Sequence, residues 1–163
     1  METKEPEINE LKERTVAFVS FKGNFQANKE VFEGLFGKLC GWAGPKGLLG
    51  PGVVMLSSYP DDPKSVSPEE MTVDVCMEIA DDVTVDGEVK KKVLPGGKYA
   101  VMQVELESPE EYGVAWEKIV KWAGENNYEI DASRPSYEIY LNDPKAHPEN
   151  HHILNMCMSV KEK

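Results

Sequence analysis

The chain repeats itself, and that constrains its fold more than any other property of the sequence. Asp61-Asp62-Pro63-Lys64 recurs as Asn142-Asp143-Pro144-Lys145, 81 positions later. At the same offset, Val73-Asp74-Val75-Cys76-Met77-Glu78-Ile79 answers Leu154-Asn155-Met156-Cys157-Met158-Ser159-Val160, and Tyr59 answers Tyr140. Upstream, Phe32, Leu35, Phe36, Leu39, Cys40 and Ala43 pair with Tyr112, Ala115, Trp116, Ile119, Val120 and Ala123, 80 apart. Leu11 and Val16-Ala17 pair with Leu94 and Tyr99-Ala100, 83 apart. An ordered series of matches at nearly constant offset marks a duplication. The three-residue change falls between strand and helix, where a loop absorbs it. The expected organisation is one domain over 1–163 with internal repeats at approximately 8–79 and 88–160.

Each repeat reads the same way locally. Apolar residues at 112, 115, 116, 119, 120 and 123 have the spacing of one buried helical stripe. Ser108-Pro109-Glu110-Glu111 predicts its start, with Ser108 as cap and Glu111 closing a capping box, and Gly124 predicts its stop. The first repeat offers Asn28 as cap and Gly44-Pro45 as terminator. Strands are expected at 15–21, 52–59, 71–79, 98–106, 136–141 and 152–160, with 88–94 forming a hairpin with 98–106 across Pro95-Gly96-Gly97. The connections between the last two strands of each repeat are too short for a helical crossover, so the pairing is mostly antiparallel. The fold class is α+β: duplicated strand-helix-strand-strand units with pseudo-two-fold symmetry and two helices on one sheet face.

Helices on one face leave the other face free to carry chemistry. Alternation turns Ala100, Met102, Val104 and Leu106, with Tyr137, Ile139 and Leu141, toward the helices. It turns Tyr99, Ser136, Glu138 and Tyr140 away, together with Val16, Phe18, Ser20, Met55, Ser57 and Tyr59 from the first repeat. Phe18, Tyr59, Tyr99 and Tyr140 around Glu138 have the composition of an aromatic cleft with an acidic floor, suited to a small molecule. Glu138 stands where the first repeat has Ser57, so one charge breaks the repeat. A carboxylate among rings pairs with a cation; raised by burial, it also serves as a general acid or base. Trp116, on the helical stripe, divides between core packing and pocket wall.

Charge and composition narrow the classes further. The 18 basic and 29 acidic residues give a net charge of −11, which repels phosphate backbones and disfavours direct nucleic-acid binding. It suits a cationic small molecule or a basic protein partner. No run approaches the roughly 20 apolar residues of a membrane helix, and the first residues are unlike a signal peptide, so a cytoplasmic protein is expected. Three cysteines without CxxC spacing argue against a disulfide framework or zinc knuckle. His147, His151, His152 and Glu149 have metal-ligand spacing only on a helix, which Pro148 opposes. Neither a metal nor a cofactor is expected.

The whole chain resembles the GyrI-like, or AraC-type effector-binding, small-molecule-binding domain family. The resemblance rests on Gly47-Leu48-Leu49-Gly50-Pro51-Gly52, Tyr59-Pro60-Asp61-Asp62-Pro63, Leu94-Pro95-Gly96-Gly97-Lys98-Tyr99-Ala100-Val101, Ala115-Trp116-Glu117 and Tyr137-Glu138-Ile139-Tyr140-Leu141-Asn142-Asp143-Pro144. It implies a stand-alone protein that binds hydrophobic, often cationic drugs or toxins through aromatic residues and a central Glu, at the position of Glu138. It leaves open two other activities. One is hydrolysis of strained cyclopropane electrophiles, with Glu138 and Tyr99 at the catalytic positions; the other is modulation of a protein partner such as gyrase.

Overall fold

The computed structural model describes all of the 163 residues except Gln26, Ala27, Lys29 and Pro63. Pro63 of the repeated Asp-Pro turn therefore lies outside the described residues, as does Lys29, which follows the expected cap Asn28. The described residues form β1 (Glu2–Thr3), β2 (Glu7–Leu11), β3 (Arg14–Lys22), α1 (Glu30–Ala43), β4 (Met55–Tyr59), β5 (Thr72–Glu78), β6 (Lys90–Leu94), β7 (Gly97–Leu106), α2 (Glu111–Glu125), β8 (Tyr128–Ile130), β9 (Ser136–Tyr140) and β10 (His152–Glu162). They divide into two compact units, one made of Glu13–Pro95 and the other of Met1–Lys12 with Gly96–Lys163. The expected α+β architecture of strand-helix-strand-strand repeats is what forms.

In the unit Glu13–Pro95 an antiparallel sheet runs β4-β5-β3-β6. Leu35, Leu39 and Ala43 of α1 pack on Ala17, Val19, Val73, Val75 and Met77. In the other unit β10 lies between β9 and β7, and β7 takes β1 and β2 along its far edge. Ala115, Ile119 and Ala123 of α2 pack on Ala100, Met102, Val104, Leu106, Leu154, Met156 and Met158. Leu39 and Ile119 hold equivalent places in the two repeats and are fully buried. Each such side chain contributes about 1.5–3 kcal/mol by leaving water.

The pairing registers repeat as faithfully as the residues. Val16 lies opposite Glu78 and Tyr99 opposite Ser159; Ser57 lies opposite Val75 and Glu138 opposite Met156. Both cases preserve the offsets of the sequence matches.

Three local expectations are corrected. The 88–94 segment does not form a hairpin with 98–106. Instead β6 pairs with β3, and β2, the strand that leads into β3, pairs with β7. Each repeat thus lends its leading strand to the other, in matched register: Leu94 opposite Arg14, Leu11 opposite Gly97. The edge of β7 that the hairpin would use is taken by β2, with Leu11 opposite Gly97, so 90–94 pairs with β3 instead. The capping box at Ser108 is also absent. The Glu111 carboxylate accepts from the Glu107 amide at 2.7 Å, while the Glu111 amide donates to the Ser108 carbonyl at 3.2 Å. Finally, α2 runs past Gly124 to Glu125, and Asn127 turns the chain with φ 65°, a left-handed conformation that asparagine tolerates.

Candidate functional site

Glu138 comes from the middle of β9, opposite Met156 of β10, and Tyr140 lies opposite Leu154. Residues directly opposite in antiparallel strands share a face, and Met156 and Leu154 are in the core beneath α2. Glu138 and Tyr140 therefore point toward the helix, the reverse of the expected orientation. The same reversal holds for β4, where Met55, Ser57 and Tyr59 face α1, with Ser57 opposite Val75. The physical reason is that β9 is buried on both faces, so apolar alternation has no wet side to select. Tyr137, expected under the helix, instead stacks on Tyr99 across the sheet's other face, their ring centroids 5.3 Å apart.

The carboxylate of Glu138 is held by two aromatic donors. Trp116 of α2 donates its indole N–H to Oε2 at 2.8 Å, and Tyr140 donates its hydroxyl to Oε1 at 3.1 Å. Glu138 is 4% exposed, so these bonds offset the cost of taking a polar group out of water. Tyr112 lies one helical turn before Trp116, and its hydroxyl meets His152 Nδ1 at 2.9 Å. Burial pushes the Tyr112 phenol well above its ordinary range, and the charge of Glu138 pushes it further the same way. His152 is lowered, first by burial and then by the neighbouring His151, which keeps its imidazole neutral at physiological pH.

The expected site residues thus divide. Glu138, Trp116 and Tyr140 are brought together, and Trp116 both packs against the core and donates to Glu138. Ser57 and Tyr59 face α1 within the unit Glu13–Pro95, where Tyr59 packs against Phe25. Phe18 and Tyr99 lie on the faces turned away from the helices. Lys92 Nζ sits 4.2 Å from the Phe18 ring centre. Tyr99 is fully buried, donates to the Pro135 carbonyl at 2.8 Å and carries the Arg134 guanidinium over its ring at 4.8 Å. Burial raises its phenol. Tyr99 and Glu138, the residues expected as a catalytic pair, lie on opposite faces of one sheet. Tyr112 and His152 are the members missed from sequence. The clue to Tyr112 was its place four residues before Trp116, which stacks the two on one helix face.

Cys76 lies opposite Phe18 on the face away from α1, and burial drives its thiol far up, so no reactive thiolate forms there. Among the described residues no helix is long and apolar enough to cross a membrane.

The family model described as a GyrI-like small molecule binding domain matches residues 4–161. The chain is similar to proteins named DNA gyrase inhibitor. One, from Cronobacter sakazakii, is 33% identical over 93 residues, covering 55% of this chain and 59% of that protein. Another, from Yersinia enterocolitica, is 31% identical over 116 residues, covering 69% and 72%. The match thus spans less than two thirds of the Cronobacter protein's length. Among solved structures, the EcmrR C-terminal domain aligns with a TM-score of 0.73 at 14% identity, over 98% of both chains. SAV2435 bound to tetraphenylphosphonium aligns with a TM-score of 0.64 at 17% identity, over 97% of this chain and 94% of that one. Structural likeness at such identities establishes the fold.

Proposed function

The chain belongs to the GyrI-like small-molecule-binding family, and we propose that it is a cytosolic binding protein for hydrophobic, cationic small molecules. Glu138 supplies the charge, while Trp116, Tyr140 and Tyr112 supply aromatic surface. The observation that carries this reading is a buried carboxylate that accepts hydrogen bonds from two aromatic side chains. A lipophilic cation satisfies both parts of that environment: its charge meets the carboxylate, and its hydrocarbon meets the rings. The ligand of SAV2435, a cation wrapped in phenyl groups, is of this chemical kind.

Both carboxylate oxygens already accept a hydrogen bond. A cation without N–H groups can approach through charge and ring contact while leaving those bonds in place. Titrating tetraphenylphosphonium against the wild type and Glu138→Gln by calorimetry tests this. The amide keeps the shape and removes the charge, so affinity falls at least about tenfold, equivalent to about 1.4 kcal/mol. Equal affinity for both proteins removes Glu138 from the role.

The names of the curated relatives and the net charge of −11 favour a second reading, an acidic surface that docks on a basic protein such as gyrase. It requires gyrase pull-down that weakens steeply between low and high salt and is indifferent to Glu138→Gln. Capture that is insensitive to salt, or absent, overturns it.

A further inference from the structure

All three histidines of the chain fall within six residues of one another, at 147, 151 and 152. The segment is not a helix; it connects β9 to β10. After the turn Pro144–Ala146, Asn150 adopts φ 59°, and its amide donates to the His147 carbonyl at 3.1 Å. This left-handed residue folds the segment back on itself. The imidazoles of His147 and His151 then stack with centroids 4.7 Å apart and planes 18° from parallel. The sheet supplies Glu105, from β7. His151 Nδ1 is 2.7 Å and His147 Nε2 3.8 Å from the same Glu105 oxygen. The three residues can bring one ligand atom each to within 4.8 Å of the others.

From this convergence we infer that Glu105, His147 and His151 form a binding site for a divalent transition-metal ion. Two imidazoles and one carboxylate with open positions suit zinc, nickel or copper rather than magnesium or calcium, which prefer oxygen ligands throughout. A metal–nitrogen bond is about 2.0–2.1 Å long, so donors around one ion stand roughly 3–4 Å apart. That is close to the spacing already present. The surroundings match those of a metal-binding histidine. Glu149 lies 3.2 Å from His151 Nε2, the outer nitrogen, where a carboxylate orients the ring and leaves Nδ1 for the ion. On the open side, a depression of about 300 Å³ is lined by Met1, Glu2, Glu105, Glu107 and His151, giving acidic surroundings and room for water ligands.

Without metal, a proton lies between His151 Nδ1 and Glu105; the incoming ion replaces it, and that proton goes to solvent. His147 Nδ1 accepts from the Glu149 amide at 3.0 Å, so the neutral ring carries its proton on Nε2. Binding an ion through Nε2 moves that proton to Nδ1 and releases the Glu149 amide. The ion therefore loads with a small rearrangement of the loop.

The test uses the untagged full chain. Copper(II) added at one equivalent and read by electron paramagnetic resonance should show hyperfine coupling to two imidazole nitrogens. Zinc affinity, measured by competition with a chelating indicator, should fall about 10–100-fold in His147→Asn, His151→Asn and Glu105→Gln. It should not change in Glu129→Gln, an exposed carboxylate on β8. All variants are checked for unchanged circular dichroism; the three side chains are partly buried but stand outside the hydrophobic core cluster. A copper spectrum without two-nitrogen coupling, or zinc affinity indifferent to the histidine substitutions, overturns the proposal. The tetraphenylphosphonium titration is a separate readout, so failure here leaves the Glu138 reading to its own test.

Discussion

The two repeats share strand registers and helical stripes, yet the helix-facing surface of one is polar where that of the other is apolar. Tyr112, Trp116, Glu138 and His152 stand where the first repeat has Phe32, Phe36, Ser57 and Met71. Only Tyr140 and Tyr59 agree. In the unit Glu13–Pro95 Phe32, Phe36 and Met71 join the hydrophobic core and Ser57 is buried; in the other unit Trp116 donates to the buried Glu138 and Tyr112 meets His152. Duplication preserved what a sheet and helix need in order to pack. At a few buried or partly buried positions the two copies differ, and there the second copy carries polar groups.

The comparison can be broken most forcefully by placing the charge in the wrong repeat. Ser57→Glu puts a carboxylate at a fully buried site where the position of Trp116 is held by Phe36, which has no N–H to give. A buried, uncompensated charge costs about 3–5 kcal/mol, measurable by urea unfolding; a loss below about 1 kcal/mol would show the two sites to be interchangeable. The shared part is tested next. Leu39→Ala and Ile119→Ala should each cost about 2–5 kcal/mol and by similar amounts, since the two side chains fill the same place. Widely different losses would mean that the cores are not equivalent.

Smaller effects sharpen the picture. Trp116→Phe makes the second repeat resemble the first and removes one donor from Glu138, at a cost of about 1–3 kcal/mol. Phe36→Leu, in the repeat without the carboxylate, removes only packing. Gly97 stands where the first repeat has Arg14, and here the repeats cannot be exchanged. Its φ is 129°, and a Cβ at this position would lie 2.6 Å from Arg134 Nη1. Gly97→Ala should cost about 1–3 kcal/mol by the same unfolding measurement.

The smallest effect is electrostatic. His151 is raised above the ordinary histidine value, chiefly by its hydrogen bond to Glu105, while burial lowers His152. Nuclear magnetic resonance titration should show His151 losing its proton at the higher pH of the two, and Glu105→Gln should bring it down. Because the folded-state value is raised, the stabilisation is complete below the unfolded-state value. It fades as pH rises through the folded-state value.

Much of the fold is legible in the sequence. The helical stripes have a 3.6-residue period that survives in both copies, and the offsets of 80, 81 and 83 reappear as matched strand registers. The orientation of β4 and β9 was not legible. Alternation reports which face is wet, and in β9 both faces are dry, so the pattern alone puts Tyr137 and Glu138 on the wrong sides. The exchange of β2 and β6 is hidden because adjacency along the chain favours a hairpin, whereas the pairs that form join strands of different repeats. The meeting of Glu105 with His147 and His151 depends on one left-handed turn at Asn150, which spacing along the chain does not disclose.

The sequence alone therefore determined the duplication, the two amphipathic helices and the identity of the residue that breaks the repeat, because periodicity and self-similarity are properties of the chain itself. Tertiary structure decided which face that carboxylate occupies, which aromatic groups hold it, and which strands accept a partner from the other repeat. Those choices follow from which surfaces are covered and from local backbone turns such as the one at Asn150, neither of which is written in hydrophobic pattern.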